Sequence, residues 1–523
     1  MEYTVLNPRG LRSRLDIVPL TPRLPSLDGK VVYCVEQNRP VFMEELSKRL
    51  IKYIPEAKFV FKLKPGGFQS DDMELRDEIV QKADAMIYGT AMGGGSGMFG
   101  TGWTIEVEKQ GVPSVYIVGE PFLPDIKVSA EMRGMPLLRT VPIHLVDEVR
   151  VTEDITDEQY LEIISKIVET LTKPLTEEEK KTDEIVPEKP PRIAMTGTLA
   201  EVQDYFYEQR WTDGLPIIPP TKEKVTEFLN HTKHSPDEIV TTTMWPEELE
   251  ATVEKVAVVG VMAGCKPQYM PVLLAIVEAW GKGNFNLLVR SGSSASPVII
   301  VNGPIRNEIG MNKEQNAMGP CNQANAAIGR FLRLAVVNLG GLWPGVNDMS
   351  AQGSPIKYGF CFPENEEKSP WEPLHVSMGY KPDESVISIL ISGWSHQNLF
   401  GAGESLDFIL EKIAKAIVSF QGRNGAVIAM APGMAQFCSA NDMSKENVEQ
   451  YICEHAVASV SELRTGFFRG SRTDDSALPD DALVQVCPCE SLKVVVVGGE
   501  TGMPIAQTWQ FQSPSMASVD NWR

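Results

Sequence analysis

The sequence predicts an α/β protein: a parallel-sheet N-terminal domain joined by a charged, proline-rich linker to a larger mixed α/β domain. Three observations predict it. Short apolar runs alternate with amphipathic stretches between residues 31 and 118. Residues 173–192 are nearly free of apolar side chains and dense in Glu, Lys and Pro. Beyond them strand and helix patterns resume, separated by long loops rich in Gly, Pro, Asn and Trp.

Residues 1–30 carry Pro, Arg and Leu without a period and read as an extended arm, lying on the body or on a neighbouring subunit. Residues 31–35 form a short apolar run, a buried strand. Apolar positions 42, 43, 46, 50, 51 and 54 fit an amphipathic helix over 41–54. Residues 59–63 read as a strand and 71–83 as a helix with acidic residues in its first turn. A third strand over 85–89, a helix over 103–110 and a fourth strand over 114–118 follow. Strands alternating with helices imply a parallel sheet covered on both faces. A helix over 157–171 closes the domain, which spans 31–172. The linker composition of 173–192 marks the boundary.

In the second domain, 193–523, the apolar runs 253–259, 298–301, 386–391, 427–430 and 493–497 read as strands. Residues 267–280, 322–337 and 405–420 read as helices. Long polar loops in a compact domain are frequently functional.

Composition narrows the function classes. Apolar residues make up 43% and the net charge is −20, which is unfavourable for binding nucleic-acid phosphates. No apolar run is long enough to span a bilayer, and the N-terminus lacks an apolar signal core. A cytoplasmic protein without membrane contact is expected. The cysteines are mostly far apart, so reduced thiols are expected. Only Cys487 and Cys489 are close, and no metal site is expected.

Five segments offer chemistry. Six of the ten residues from Gly93 to Gly102 are glycine, placed after a strand and before a helix. Backbone amides there, at Gly93, Gly94, Gly95, Ser96, Gly97, Gly100 and Thr101, suit a small anionic substrate. The other reading of this run is a flexible turn. It is neither a P-loop, since no Lys-Ser/Thr follows, nor a dinucleotide fingerprint on the first strand. Cys321 precedes a helix whose start would favour a thiolate, beside Asn322 and Asn325, which suit caps or ligand contacts. Cys265, next to Lys266, also precedes a helix. Either cysteine could equally be small core packing.

The loops carry Asp213, Asn302, Arg306, Asp348, Lys357, Glu364 and Glu367, charged and polar groups that would be costly if buried unpaired. His375 and His396 are available for proton transfer. Finally, the strand over 494–497 runs into glycines, as a backbone cradle or a sharp strand exit.

The stretch 88–122, YGTAMGGGSGMFGTGWTIEVEKQGVPSVYIVGEPF, resembles the UGSC family of (seleno)proteins. There a strand ends in a Cys/Sec-Gly-Ser-Cys-Thr motif, followed by a Trp and by a helix ending in Glu-Lys-x-Gly-x-Pro. Trp103, Glu108, Lys109, Gly111, Pro113 and Phe122 match, as does the opening Leu6-Asn-Pro-Arg-Gly10. The resemblance covers roughly residues 1–150 and implies a flavodoxin-like domain. More remotely, it implies kinship with the selenoprotein B subunits of glycine- and betaine-type reductases. Gly97 and Gly100 stand where the family has its two redox residues, and no cysteine lies between 35 and 264. Thiol chemistry therefore does not carry over onto this domain.

Three expectations follow. The first is an enzyme making a reductive or lyase-type cleavage on a small carboxylate-bearing metabolite, with Cys321 as nucleophile and Cys265 as supporting thiol. The second is a metal- or acid/base-dependent hydrolase, hydratase or transferase using Asp213, Glu364 or His375. The third is a non-catalytic ligand-binding subunit of a reductase-like complex. A homo-oligomer is expected, with a redox or catalytic partner protein as a further option. The sequence points to no particular cofactor.

Overall fold

The computed structural model describes residues 1–37, 40–144, 155–182, 184–185, 187, 189–392, 395–401, 403–419, 425–465, 478–501, 505–510 and 514–523. The first strand, Glu2–Leu6 (β1), has a distant partner. It pairs antiparallel with Ile193–Thr198 (β7), and Val5 and Leu6 enter the main core of the second domain. Leu11 bridges to Glu250, and Leu15–Asp16 pairs with Glu184–Ile185. The arm therefore takes its order from its own chain.

Strands Val31–Glu36 (β2), Lys58–Leu63 (β3), Ala85–Ala91 (β4), Ser114–Gly119 (β5) and Thr140–Ile143 (β6) form one parallel sheet, in the order β3-β2-β4-β5-β6. Numbered within the sheet this is 2-1-3-4-5, the flavodoxin-like order. Helices Pro40–Tyr53 (α1) and Asp157–Thr172 (α5) cover one face, burying Phe42, Leu46, Tyr160 and Ile167. Helices Met73–Lys82 (α2), Gly94–Lys109 (α3) and Leu123–Met132 (α4) lie on the other, with Ile79, Trp103 and Ile126. Every residue of β4 is buried because both faces are covered.

The linker is pinned down. Arg139 donates to both carboxylate oxygens of Glu179, at 2.8 and 3.0 Å, and to the carbonyls of Thr170, Lys173 and Pro174.

The second domain has four layers. One sheet contains Ser296–Asn302 (β8), Cys361–Pro363 (β9), Val386–Ser392 (β10) and Ser515–Ser518 (β15) in the order β9-β8-β10-β15. The other contains Ser395–Leu399 (β11), Ala426–Met430 (β12), Leu492–Val496 (β13) and Ile505–Gln510 (β14) in the order β11-β14-β12-β13. Their inner faces meet through Val298, Ile300, Phe362 and Leu390 against Val427, Ala429 and Val495. Helices Val253–Ala263 (α6), Met270–Lys282 (α7) and Gln323–Asn338 (α9) back the first sheet, and Leu406–Ser419 (α11) and Lys445–His455 (α12) back the second. Among the described residues, no helix is long and apolar enough to cross a membrane.

Two expectations are overturned here. Residues 253–259 are not a strand: they begin α6, whose Thr252 side chain accepts from the Lys255 amide. Ten of its eleven residues are buried, so the apolar pattern shows neither a polar face nor a helical period. The helix expected from Trp103 starts at Gly94 instead, so the glycine run is helical rather than a loop.

Candidate functional site

The carboxyl ends of β8, β9 and β13 converge on one polar cluster. Glu364, directly after β9, accepts hydrogen bonds from Asn302 Nδ2 at 2.6 Å, the Leu374 amide at 2.8 Å and the Val496 amide at 3.4 Å. The next residue, Asn365, donates its amide to the Val496 carbonyl, so the segment ties the two sheets together. Glu366 accepts from Asn302 Nδ2 at 3.0 Å, the Gly303 amide at 2.8 Å and Arg306 Nη2 at 2.7 Å. Arg306 also donates to the Glu364 carbonyl and to Glu367.

His375 sits in the one-turn helix Leu374–Ser377 (α10) and is 0% exposed. Among the described residues neither ring nitrogen has a hydrogen-bond partner, and the nearest carboxylate oxygen, Glu366 Oε1, is 4.0 Å from Nδ1. Asn302 Oδ1 and Asn365 Oδ1 are likewise buried and unpartnered. Buried polar atoms are rarely left so, and each one calls for an explanation. The structure thus brings together five residues singled out in the sequence, Asn302, Arg306, Glu364, Glu367 and His375. Glu366, which was not itself named from the sequence, completes the cluster.

Asp213, Asn322, Asn325, Asp348 and Lys357 are each held by partners elsewhere in the domain. Asp213 receives Arg330 through both oxygens, at 2.8 and 2.9 Å, a clasp rather than a free base. Asn322 caps α9 by accepting from the Asn325 amide, and Asn325 ties down the preceding loop by donating to the Asn312 and Ala317 carbonyls. Lys357 donates to both oxygens of Asp348, at 2.8 and 2.9 Å, and to Ser350 Oγ.

In the first domain the glycines serve close packing. A Cβ added at Gly94 would lie 2.0 Å from the Arg290 carbonyl, and one at Gly95 would lie 2.4 Å from Leu287. At Gly100 it would lie 2.0 Å from the Tyr116 hydroxyl, and at Gly97 2.9 Å from Ile126. Ser96 Oγ accepts from the Met92 amide and donates to the Gly93 carbonyl, and Thr101 Oγ1 donates to the Gly97 carbonyl. The crevice at the strand ends holds the chain's own side chains. Tyr116 donates to the Ser96 carbonyl, Gln37 donates to the Tyr116 hydroxyl, and Tyr88 donates to Gln37. The expected anion cradle over Gly93–Thr101 is therefore a packed helix start.

Residues 4–173 match the model of the UGSC family. The N-terminal domain is a UGSC-family domain. No curated protein matches the chain. In this UGSC domain the two motif positions, Gly97 and Gly100, face Ile126 and Tyr116, so the space next to each is already filled.

The UGSC domain docks on the second domain through Arg290, in the short helix Asn286–Arg290 (α8). Its fully buried guanidinium donates to Asp125 at 2.5 Å, Ser129 at 2.9 Å, Asn286 at 2.8 Å and the Pro246 carbonyl at 2.9 Å. Burial pushes the Asp125 carboxyl up, to about 6, against the pull of Arg290.

The two candidate thiols sit in different settings. Cys265 is buried and donates to the Ala327 carbonyl at 3.4 Å. Burial pushes its thiol well above the ordinary range, the reverse of what a nucleophile needs. Cys321 is exposed and adopts a left-handed backbone, φ +86°. One sulfur is in the core and the other on the surface. The cysteines are not all reduced either, since Cys453 is disulfide-bonded to Cys489 with a Cα–Cα distance of 5.3 Å.

Proposed function

We propose that this chain is an enzyme acting on a small polar metabolite by proton transfer, of the hydrolase or hydratase kind, with His375 as the proton carrier. The observation that carries this reading is the fully buried imidazole of His375, whose two nitrogens have no hydrogen-bond partner among the described residues. An imidazole held this way is costly to the fold, and such costs concentrate at functional sites. Glu366, 4.0 Å from Nδ1, is close enough to orient the ring after a small side-chain movement. Glu364 and Asn302 fix the frame, and Asn302 Oδ1 offers a free acceptor to a substrate N–H or O–H. The cluster lies at strand carboxyl ends, where ligands of α/β sheets commonly bind.

The thiol reading has less support, because Cys265 is buried with a raised pKa and Cys321 lies on the surface. The test is turnover of components of a small-metabolite extract, followed by mass spectrometry. Wild type and the Cys265→Ser/Cys321→Ser double variant should consume the same compound at similar rates. His375→Asn, which orphans no partner, should lose about 10²–10⁴-fold, the usual weight of a general acid–base group. Full activity in His375→Asn, or loss in the cysteine variant, would reverse the assignment.

A further inference from the structure

The Cys453–Cys489 disulfide joins two elements that each hold one side of the His375 cluster. Cys453 lies near the end of α12 and is fully buried. Cys489 is partly exposed, in a short turn that runs straight into β13. On the α12 side, the Trp371 indole donates to the Met443 carbonyl at 3.1 Å, and Lys445 Nζ donates to the Glu372 carbonyl at 3.2 Å. Residues 371–373 lead directly into α10 and His375. On the β13 side, the Val496 amide donates to Glu364, and the Val496 carbonyl accepts from the Asn365 amide at 2.7 Å. Asn365 Nδ2 also donates to the Gly498 carbonyl at 2.9 Å. Glu364 in turn accepts from the Leu374 amide, next to His375. These contacts form a ring around the cluster, and the disulfide closes it. The Val494 amide, which donates to Glu449 of α12 at 2.8 Å, supports the same closure.

The other six cysteines form no disulfide. Where most thiols stay reduced, an isolated disulfide is usually transient rather than structural. Exposure marks the disulfides that exchange readily, and here Cys489 is the half that solvent reaches.

We infer that this disulfide is a reversible redox staple on the frame around His375, opened by a dithiol reductant. One sulfur of the dithiol bonds to Cys489 Sγ as the Cys453–Cys489 bond breaks. Cys453 leaves as a thiolate and takes up the proton released by the attacking thiol. The second sulfur then displaces Cys489 in the same way. The dithiol ends as its own disulfide, and the chain gains two electrons and two protons. The staple joins residues 36 apart in sequence, so opening it releases α12 from the start of β13. The ties to Glu372 and Glu364 loosen with them. The consequence for turnover rests on the proton-transfer reading of His375, whereas the staple itself is tested without turnover.

The full chain is treated with dithiothreitol in the absence of denaturant, then acid-quenched, unfolded and alkylated, with amide hydrogen exchange followed in parallel. Cys453 and Cys489 should become alkylated. Exchange in residues 364–376 and 492–498 should rise about tenfold, while the parallel sheet of the UGSC domain stays unchanged. Oxidised glutathione should restore the bond and the slow exchange. Cys453→Ser/Cys489→Ser should exchange as the reduced protein does and show no response to dithiothreitol. Should that variant fail to fold, the comparison of reduced with reoxidised wild type decides alone. A bond that opens only in denaturant, unchanged exchange in residues 364–376, or a rise shared by the UGSC sheet would each overturn the assignment. These readouts are independent of turnover by His375→Asn, so the two failures are distinguishable.

Discussion

Gly100 shows how much one missing side chain decides. Its position belongs to a redox residue in the UGSC pattern, yet here the Tyr116 hydroxyl occupies the space a Cβ would need. Gly100→Ala should therefore destabilise the chain by about 1–3 kcal/mol through overpacking, read as a lower urea midpoint. Adding Tyr116→Phe should recover part of that loss, since the hydroxyl is the nearest atom. An unchanged midpoint in Gly100→Ala would mean that Tyr116 yields freely. Residue type in the sequence was enough to mark Asn302, Glu364 and His375, because buried polar side chains in long loops stand out.

Among the elements, the contact between the 173–192 segment and β6 is pH-sensitive. Hydrogen bonds from Arg139 hold the Glu179 carboxyl down at about 2, with burial opposing them. A carboxyl depressed this way stabilises the fold fully above the ordinary glutamate value of 4.5, and the contribution fades as pH falls toward 2. Glu179→Gln should thus lower stability by about 1–2 kcal/mol at pH 7, allowing for partial solvent screening. Urea titrations at successive pH values should show the gap closing between the two pKa values; a gap constant with pH would exclude the pairing as its source.

Four of the five strands of the parallel sheet were legible because apolar runs bounded by polar turns leave few alternatives; the fifth, β6, is only four residues long and alternates in burial, too short a signal to read. The start of α3 was not. Six glycines argue for a turn, and only packing against Tyr116, Ile126 and Leu287 explains why a helix tolerates them. Residues 253–259 misled for the opposite reason: a helix buried on all sides looks like a buried strand.

On the scale of the molecule, the two domains are held by a fully desolvated ion pair. Arg290→Met would leave Asp125 buried without its cation, a change worth about 3–5 kcal/mol. Limited proteolysis should then cut between the domains earlier than in wild type; identical digestion would assign the docking to apolar contacts instead. The four-layer arrangement of the second domain was not legible, since its two sheets meet only through residues distant in sequence, such as Val298 and Val495.

The pairing of β1 with β7 makes the UGSC domain, in effect, an insertion between two neighbouring strands of its companion. During synthesis β1 emerges well before β7, and must wait for residue 198 before it can dock. The second domain can seal its core only after the first has been threaded. A fragment cut at the apparent boundary, starting near residue 193, would begin with a raw strand edge and lack Val5 and Leu6. Appending the first eleven residues through a flexible tether should restore what simple truncation takes away.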